Sequence, residues 1–312
     1  MKLNILGKRY WFFLLSLALI VPGMVIIAMN GLPLSIDFTG GSMVEVQFSA
    51  ADKVPQMAEI IDLYSENGVA DTQVQFSASD QNAIAVIKSS SLTQEQHSAI
   101  LGKLRSDYDS GLVERKFDTV GPSISQSVTN RALLAISVAA LAVIIYITFA
   151  FRGIPHAFRY GVCAIIAMLH DILIVISFGA IGSKLFGWQM DSLYLTALLT
   201  VIGFSTQDKI VVFDRIRENS PILRRVPFEK VVNHSIIQSL QRSINTQLMT
   251  SEFLLLSLAL FGGDTLREMC IILWFGLMSG TYSSIFIAAP ILVVWENKEW
   301  KTWFGKAKTT QA

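Results

Sequence analysis

Six ionisable residues fall within otherwise apolar stretches of this sequence: His170, Asp171, Asp208, Lys209, Arg242 and Glu252. A charged side chain at the centre of a membrane helix costs at least about 2.5–3.5 kcal/mol, so each such residue needs a partner or a task. Asp208 lies six residues before Asp214, where its apolar stretch ends, and the next stretch returns with Arg242 just inside its start. The two can share a depth. An Asp facing an Arg in a low dielectric is strongly attracted to it, and protonating the Asp abolishes that attraction. The pair therefore reads either as a proton-gated latch or as a static ion pair that fixes helix register. His170 and Asp171 read more readily as helix-packing groups than as proton carriers. Gln207 and Lys209 flank Asp208, and Lys209 is close enough to the end of its stretch to snorkel outward. Glu252 supplies a compensating charge or faces water.

The elements that hold these residues are set by composition. Of 312 residues, 52% are hydrophobic and 16% are charged, and the mean hydropathy is +0.49. Soluble domains carry nearer a quarter charged residues, so the chain belongs in a membrane. A net charge of +1 provides no basic field for nucleic acid. Cys163 and Cys270 lie inside apolar runs, away from metal-ligand spacing, and read as small buried hydrophobes. No Walker loop, zinc-ligand cluster or nucleophile–base pair stands out, so no metal, cofactor or enzymatic activity is expected.

Six apolar runs are long enough to cross about 30 Å of hydrocarbon: 11–29, 131–151, 159–182, 191–213, 241–261 and 268–295. The first follows Lys2, Lys8 and Arg9 as a signal peptide would, but it is too long and lacks an Ala-x-Ala cleavage site, and Pro22-Gly23 marks an expected kink. Lys and Arg collect at alternate ends of the runs: Lys8 and Arg9, Arg152 and Arg159, Arg215 to Lys230, and Lys298 to Lys308. The positive-inside rule then puts both termini in the cytoplasm. The expected division is a first helix in 1–29, an extracytoplasmic domain in 30–130, a five-helix remainder in 131–296 and a tail in 297–312.

The 30–130 segment has globular composition. Ser42 to Phe48 alternates as a strand, Lys53 to Asn67 is helical and closed by Gly68, and Thr72 to Phe76 and Ala83 to Lys88 are short strands. Thr93-Gln94-Glu95-Gln96 opens a second helix with a capping box, and Leu112 to Val120 ends the domain as a strand. The order β-α-β-β-α-β predicts a ferredoxin-like α+β domain. Asp37 and Thr39 resemble a ligand site, but Ile36-Asp37-Phe38-Thr39-Gly40-Gly41 reads better as a turn whose glycines permit positive φ.

That string, together with Val120-Gly121-Pro122-Ser123-Ile124, His170-Asp171, the run from Gly203 through Val211-Val212-Phe213-Asp214-Arg215-Ile216-Arg217-Glu218-Asn219, and Gly276 with Gly280 to Phe286, resembles the SecF family over almost the whole chain. The resemblance implies an RND-superfamily membrane fold that works with a SecD-like subunit and the SecYEG channel. It also implies use of the proton-motive force to move a translocating polypeptide across a bacterial inner membrane. In that family an Asp in the fourth span and an Arg in the fifth are associated with proton passage, and by motif position these are Asp208 and Arg242. The family usually has Asn before that Asp and Thr or Ser after it, where this chain has Gln207 and Lys209. Two other readings stay open: half of an RND-type exporter for lipid or small apolar substrates, and a passive translocase assembly factor.

Overall fold

The computed structural model describes residues 4–50, 53–79, 82–152, 157–248, 253–261 and 264–299. These divide into two compact units. One draws on Met1–Gly31, Ala135–Ile181 and Leu193–Ala312, and the other on Leu32–Leu134 with Gly182–Ser192.

The smaller unit begins with a helical turn, α2 (Ile36–Thr39), which follows the long helix α1 (Arg9–Asn30). Ser35 caps it by accepting from the Asp37 amide. Gly40 and Gly41 then take φ values of 75° and 112°. At Gly41 a Cβ would lie 2.4 Å from the Ser89 carbonyl oxygen, so glycine there is needed for both the conformation and the approach. Asp37 Oδ2 accepts from the Ser192 amide at 3.0 Å and its hydroxyl at 2.7 Å. Thr39 donates to the Ser35 carbonyl at 3.1 Å. These residues therefore hold a turn together.

Strand β1 (Gly41–Gln47) is followed by α3 (Met57–Glu66), β2 (Gln73–Ser79), β3 (Asn82–Ser89), α4 (Gln94–Asp107) and β4 (Val113–Val120). The sheet order is β2-β3-β1-β4 and each neighbouring pair is antiparallel. Alternation aims Val44, Val46 and Phe48 at one face, where they meet Ile60, Leu63 and Tyr64 of α3 and Ile100, Leu101 and Leu104 of α4 in one buried core. Helix α3 starts four residues later than the pattern of apolar positions predicts, because Pro55 disfavours helical backbone at Val54. At the start of α4, Thr93 accepts from the Gln96 amide while Gln96 Oε1 accepts from the Thr93 amide, the expected capping box.

The larger unit is helical: α1, α5 (Pro122–Ala150), α6 (Ala157–Phe186), α7 (Ser192–Ile222), α8 (Phe228–Thr246), α9 (Phe253–Phe261), α10 (Asp264–Ser283), a π turn at Ser284–Ala288, and α11 (Ala289–Glu296). Among the described residues, five stretches are long and apolar enough to cross a membrane: Leu6–Asn30, Pro122–Ala150, Phe158–Phe186, Ser192–Ile222 and Leu266–Glu296. The expected span at 241–261 is described only in part. Its polar first part belongs to α8, which begins at Phe228, its apolar part is α9, and residues 249–252 lie outside the described set. Helix α1 runs unbroken through Pro22.

One end of this unit is tied by charge. Arg9 reaches Glu229 at 3.0 Å and Glu299 at 2.8 Å, and Arg159 pairs with Glu296. The starts of α1, α6 and α8 and the end of α11 thus lie together, which places Arg9 and Arg159 at the same end, as their spacing in the sequence predicts. Gly23 of α1 packs so closely on α6 that a Cβ would lie 2.4 Å from Ser177, whose hydroxyl donates to the Ile20 carbonyl at 3.0 Å.

Within the small unit, the buried Asp109 carboxylate accepts from the Ser49 amide (2.6 Å), the Ser49 hydroxyl (2.9 Å), the Gly111 amide (2.9 Å) and Lys53 (3.2 Å). The amide of Ser49 above all holds this carboxyl well below the usual range. Its folded pKa is depressed, so its stabilisation is complete above the unfolded value near pH 4 and fades as the pH falls towards the folded one. A soluble fragment of about residues 35–118 should unfold cooperatively on heating, and Asp109→Ala should lower its midpoint by about 5–10 °C at pH 7. The difference between the two should narrow below pH 3. A fragment without a cooperative transition, or a gap unchanged by acid, contradicts this.

Candidate functional site

Helix α7 carries buried Ser205, Thr206, Asp208, Lys209 and Asn219 along an otherwise apolar path. Positions 205 and 209 are one turn apart and share a face, while 208 and 209 point about 100° apart. Two polar side chains in succession therefore reach different neighbours.

Lys209 is fully buried. Its ammonium donates to Asp171 Oδ2 of α6 at 2.6 Å, to the Ser205 hydroxyl and to the Ser205 carbonyl at 3.4 Å. Asp171, also fully buried, accepts on the same oxygen from Ser205 Oγ at 2.5 Å and Ser283 Oγ of α10 at 2.9 Å. His170 Nδ1 lies 3.1 Å from its other oxygen. Four polar neighbours thus surround one carboxylate, and Lys209 spends its three N–H groups on three acceptors. Three helices meet here. Close approach of α10 to α7 makes this possible: a Cβ on Gly276 would lie 2.4 Å from Val201, and one on Gly280 2.9 Å from Ser205.

Asp208 is 5% exposed and has a different environment. Its Oδ2 accepts from Gln247 Nε2, at the end of α8, and from Thr281 Oγ1 of α10, each at 3.1 Å. Both donors are neutral. Arg242 is exposed and forms no ion pair with Asp208 among the described residues, so the direct pairing expected from sequence is absent from this arrangement. It still lies near enough to act on Asp208 through space, as does Lys209.

The remaining sequence-selected residues divide plainly. His170 touches Asp171, and its Nε2 is buried without a partner. Gln207 is exposed, and Glu252 lies outside the described residues. Lys209 does not snorkel, because a carboxylate inside the bundle is within reach. The sequence reading missed Gln247 and singled out Ser205, Thr281 and Ser283 only as parts of motifs. The i, i+4 spacing of Ser205 and Lys209 and the small residues from Gly276 to Ser284 were the signals that could have found the cluster.

A bundle of apolar helices that seals one paired and one unpaired carboxylate inside, with a small α+β unit between its first two spans, defines a polytopic membrane protein. The chain belongs to the SecD/SecF family of protein-export membrane proteins. It matches the family description "Protein export membrane protein SecD/SecF, C-terminal" over residues 100–298 and "SecD/SecF GG Motif" over 25–52. It is similar to protein translocase subunit SecF of Anaerolinea thermophila, with 59% identity over 304 residues and 97% of each chain covered. The SecF subunit of Thermobaculum terrenum is 42% identical over 324 residues, with 99% of each covered. Among solved structures it resembles SecDF, a translocon-associated membrane protein from Thermus thermophilus, with a TM-score of 0.78 and 29% identity. That match covers 95% of this chain and 39% of the SecDF chain, so this chain spans about two fifths of it.

Leaving one partner of a buried ion pair alone costs about 3–5 kcal/mol. Lys209→Met and Asp171→Asn should each lower thermal stability in detergent by roughly that amount, while the double variant recovers much of the loss. Additive losses in the double-mutant cycle would show that the two side chains are not coupled.

Proposed function

We propose that this chain is the SecF-type subunit of a bacterial protein-export machinery. It works with a SecD-like partner and uses the proton-motive force to assist passage of a polypeptide through a SecYEG-type channel. Full-length similarity to SecF subunits supports the assignment, and the likeness to two fifths of a SecDF chain supports a SecD-like partner. In this reading the protein is a transport component of the inner membrane with both termini in the cytoplasm. Its six spans include the one expected at 241–261, and the small unit is a ferredoxin-like domain outside the membrane. The β2-β3-β1-β4 order with two helices on one face supports that label.

The observation that carries proton coupling is the buried Asp208 carboxylate, held only by the neutral donors Gln247 and Thr281. A carboxylate without a fixed cation can exchange a proton at small cost to its neighbours, and a charge moved through the membrane field is worth about 2.3 kcal/mol per 100 mV. That is enough to shift a two-state domain. Arg242 serves as the mobile counter-charge when Asp208 is ionised. The Asp171–Lys209 pair holds the helices in register.

Reconstituted vesicles containing the whole complex provide the test. Asp208→Asn should abolish proton-dependent export and proton flux while leaving assembly intact. Arg242→Met should abolish both as well. Full activity in Asp208→Asn removes Asp208 from the mechanism and favours a passive assembly role.

A further inference from the structure

We propose that Gln247 is a positioning residue for proton exchange, which forms a two-hydrogen-bond acid–amide pair with Asp208 when that carboxyl is protonated. The proposal rests on the proton-exchange reading of Asp208 and assigns the group that receives its hydrogen.

A primary amide has both a donor and an acceptor, so it can serve either protonation state of a carboxyl. Gln247 is 3% exposed. Its Nε2 donates to Asp208 Oδ2 at 3.1 Å, while its Oε1 is buried with no hydrogen-bond partner. A buried orphan acceptor is unfavourable and calls for an account. Beside a carboxylate, which only accepts, Oε1 has nothing to receive. Once Asp208 gains a proton, its O–H can donate to Oε1 while Nε2 keeps its bond to the carbonyl oxygen. The amide loses no bond and its orphan acceptor is paired.

The second partner of Asp208 is ready for the same change. Thr281 Oγ1 lies 3.1 Å from Asp208 Oδ2 and 3.3 Å from the Leu277 carbonyl, so its single hydrogen can turn to the backbone when the carboxyl is neutral. The charged and titratable groups around Asp208 do not compete for the amide. Lys209 is committed to Asp171 and Ser205, His170 to Asp171, and Arg242 is exposed. The Ser243 hydroxyl, one turn before Gln247, is also buried and unpartnered, but of the two side chains it is the Gln247 amide that already bonds the carboxyl.

Infrared difference spectra of the whole complex in vesicles, taken between high and low pH, test this. A protonated-carboxyl C=O band should appear at low pH and vanish in Asp208→Asn. In Gln247→Met, which keeps side-chain length and apolar packing, that band should move to higher frequency, and proton-dependent export should fall roughly tenfold, as for one lost hydrogen bond. A band that Asp208→Asn removes but Gln247→Met leaves in place overturns the role of Gln247 and leaves Asp208 as the proton site. Absence of any band removed by Asp208→Asn overturns both. If Gln247→Met does not assemble, the unmodified complex labelled at the glutamine side-chain carbonyl decides: a labelled band must shift over the pH range in which the Asp208 band grows, and labelled bands that stay fixed overturn the proposal.

Discussion

The bundle depends on the cost of placing a lysine ammonium among apolar helices. Lys209 has no water to solvate it, so Asp171 must be within 2.6 Å, and that distance fixes how α6 and α7 face each other. Ser283 must reach the same carboxylate, which brings α10 close enough that only glycine fits at 276 and 280. A larger residue at either position would push α10 away and leave the carboxylate short of a donor. The ion pair and the small residues are therefore a single constraint expressed on three helices.

The adjacent residue shows the opposite design. Asp171 is surrounded by a cation, two hydroxyls and an imidazole, whereas Asp208 has an amide and a hydroxyl, each able to rearrange around a neutral carboxyl. Placing the two sites on consecutive residues of α7 lets one be rigid while the other changes state. The rigid pair limits how far the helix can respond as a whole. In the proton-exchange reading proposed above, movement that follows protonation of Asp208 passes through its contact with α8, because the rigid cluster also holds α10.

Much of this was legible in the amino-acid sequence. Alternation located the strands, Thr93 and Gln96 identified a helix start, and apolar length found the first four spans and the last. Across the expected fifth span the apolar content is concentrated late, in Phe253–Phe261, while the helix before it is polar and extends back to Phe228. The electrostatic partners were the larger miss. Spacing shows correctly that residues 208 and 209 diverge by about 100°, but it does not say which direction faces inward. Here both do, towards different helices, and the partner of Lys209 lies 38 residues away in a contact set by packing.

Carbodiimides modify protonated carboxyls in apolar surroundings and spare ionised ones, so mapping their attachment in the membrane-embedded complex addresses the contrast between the two sites directly. The account predicts modification at Asp208 that increases as the pH is lowered, with Asp171 unmodified throughout. Modification of Asp171 with Asp208 spared would contradict it.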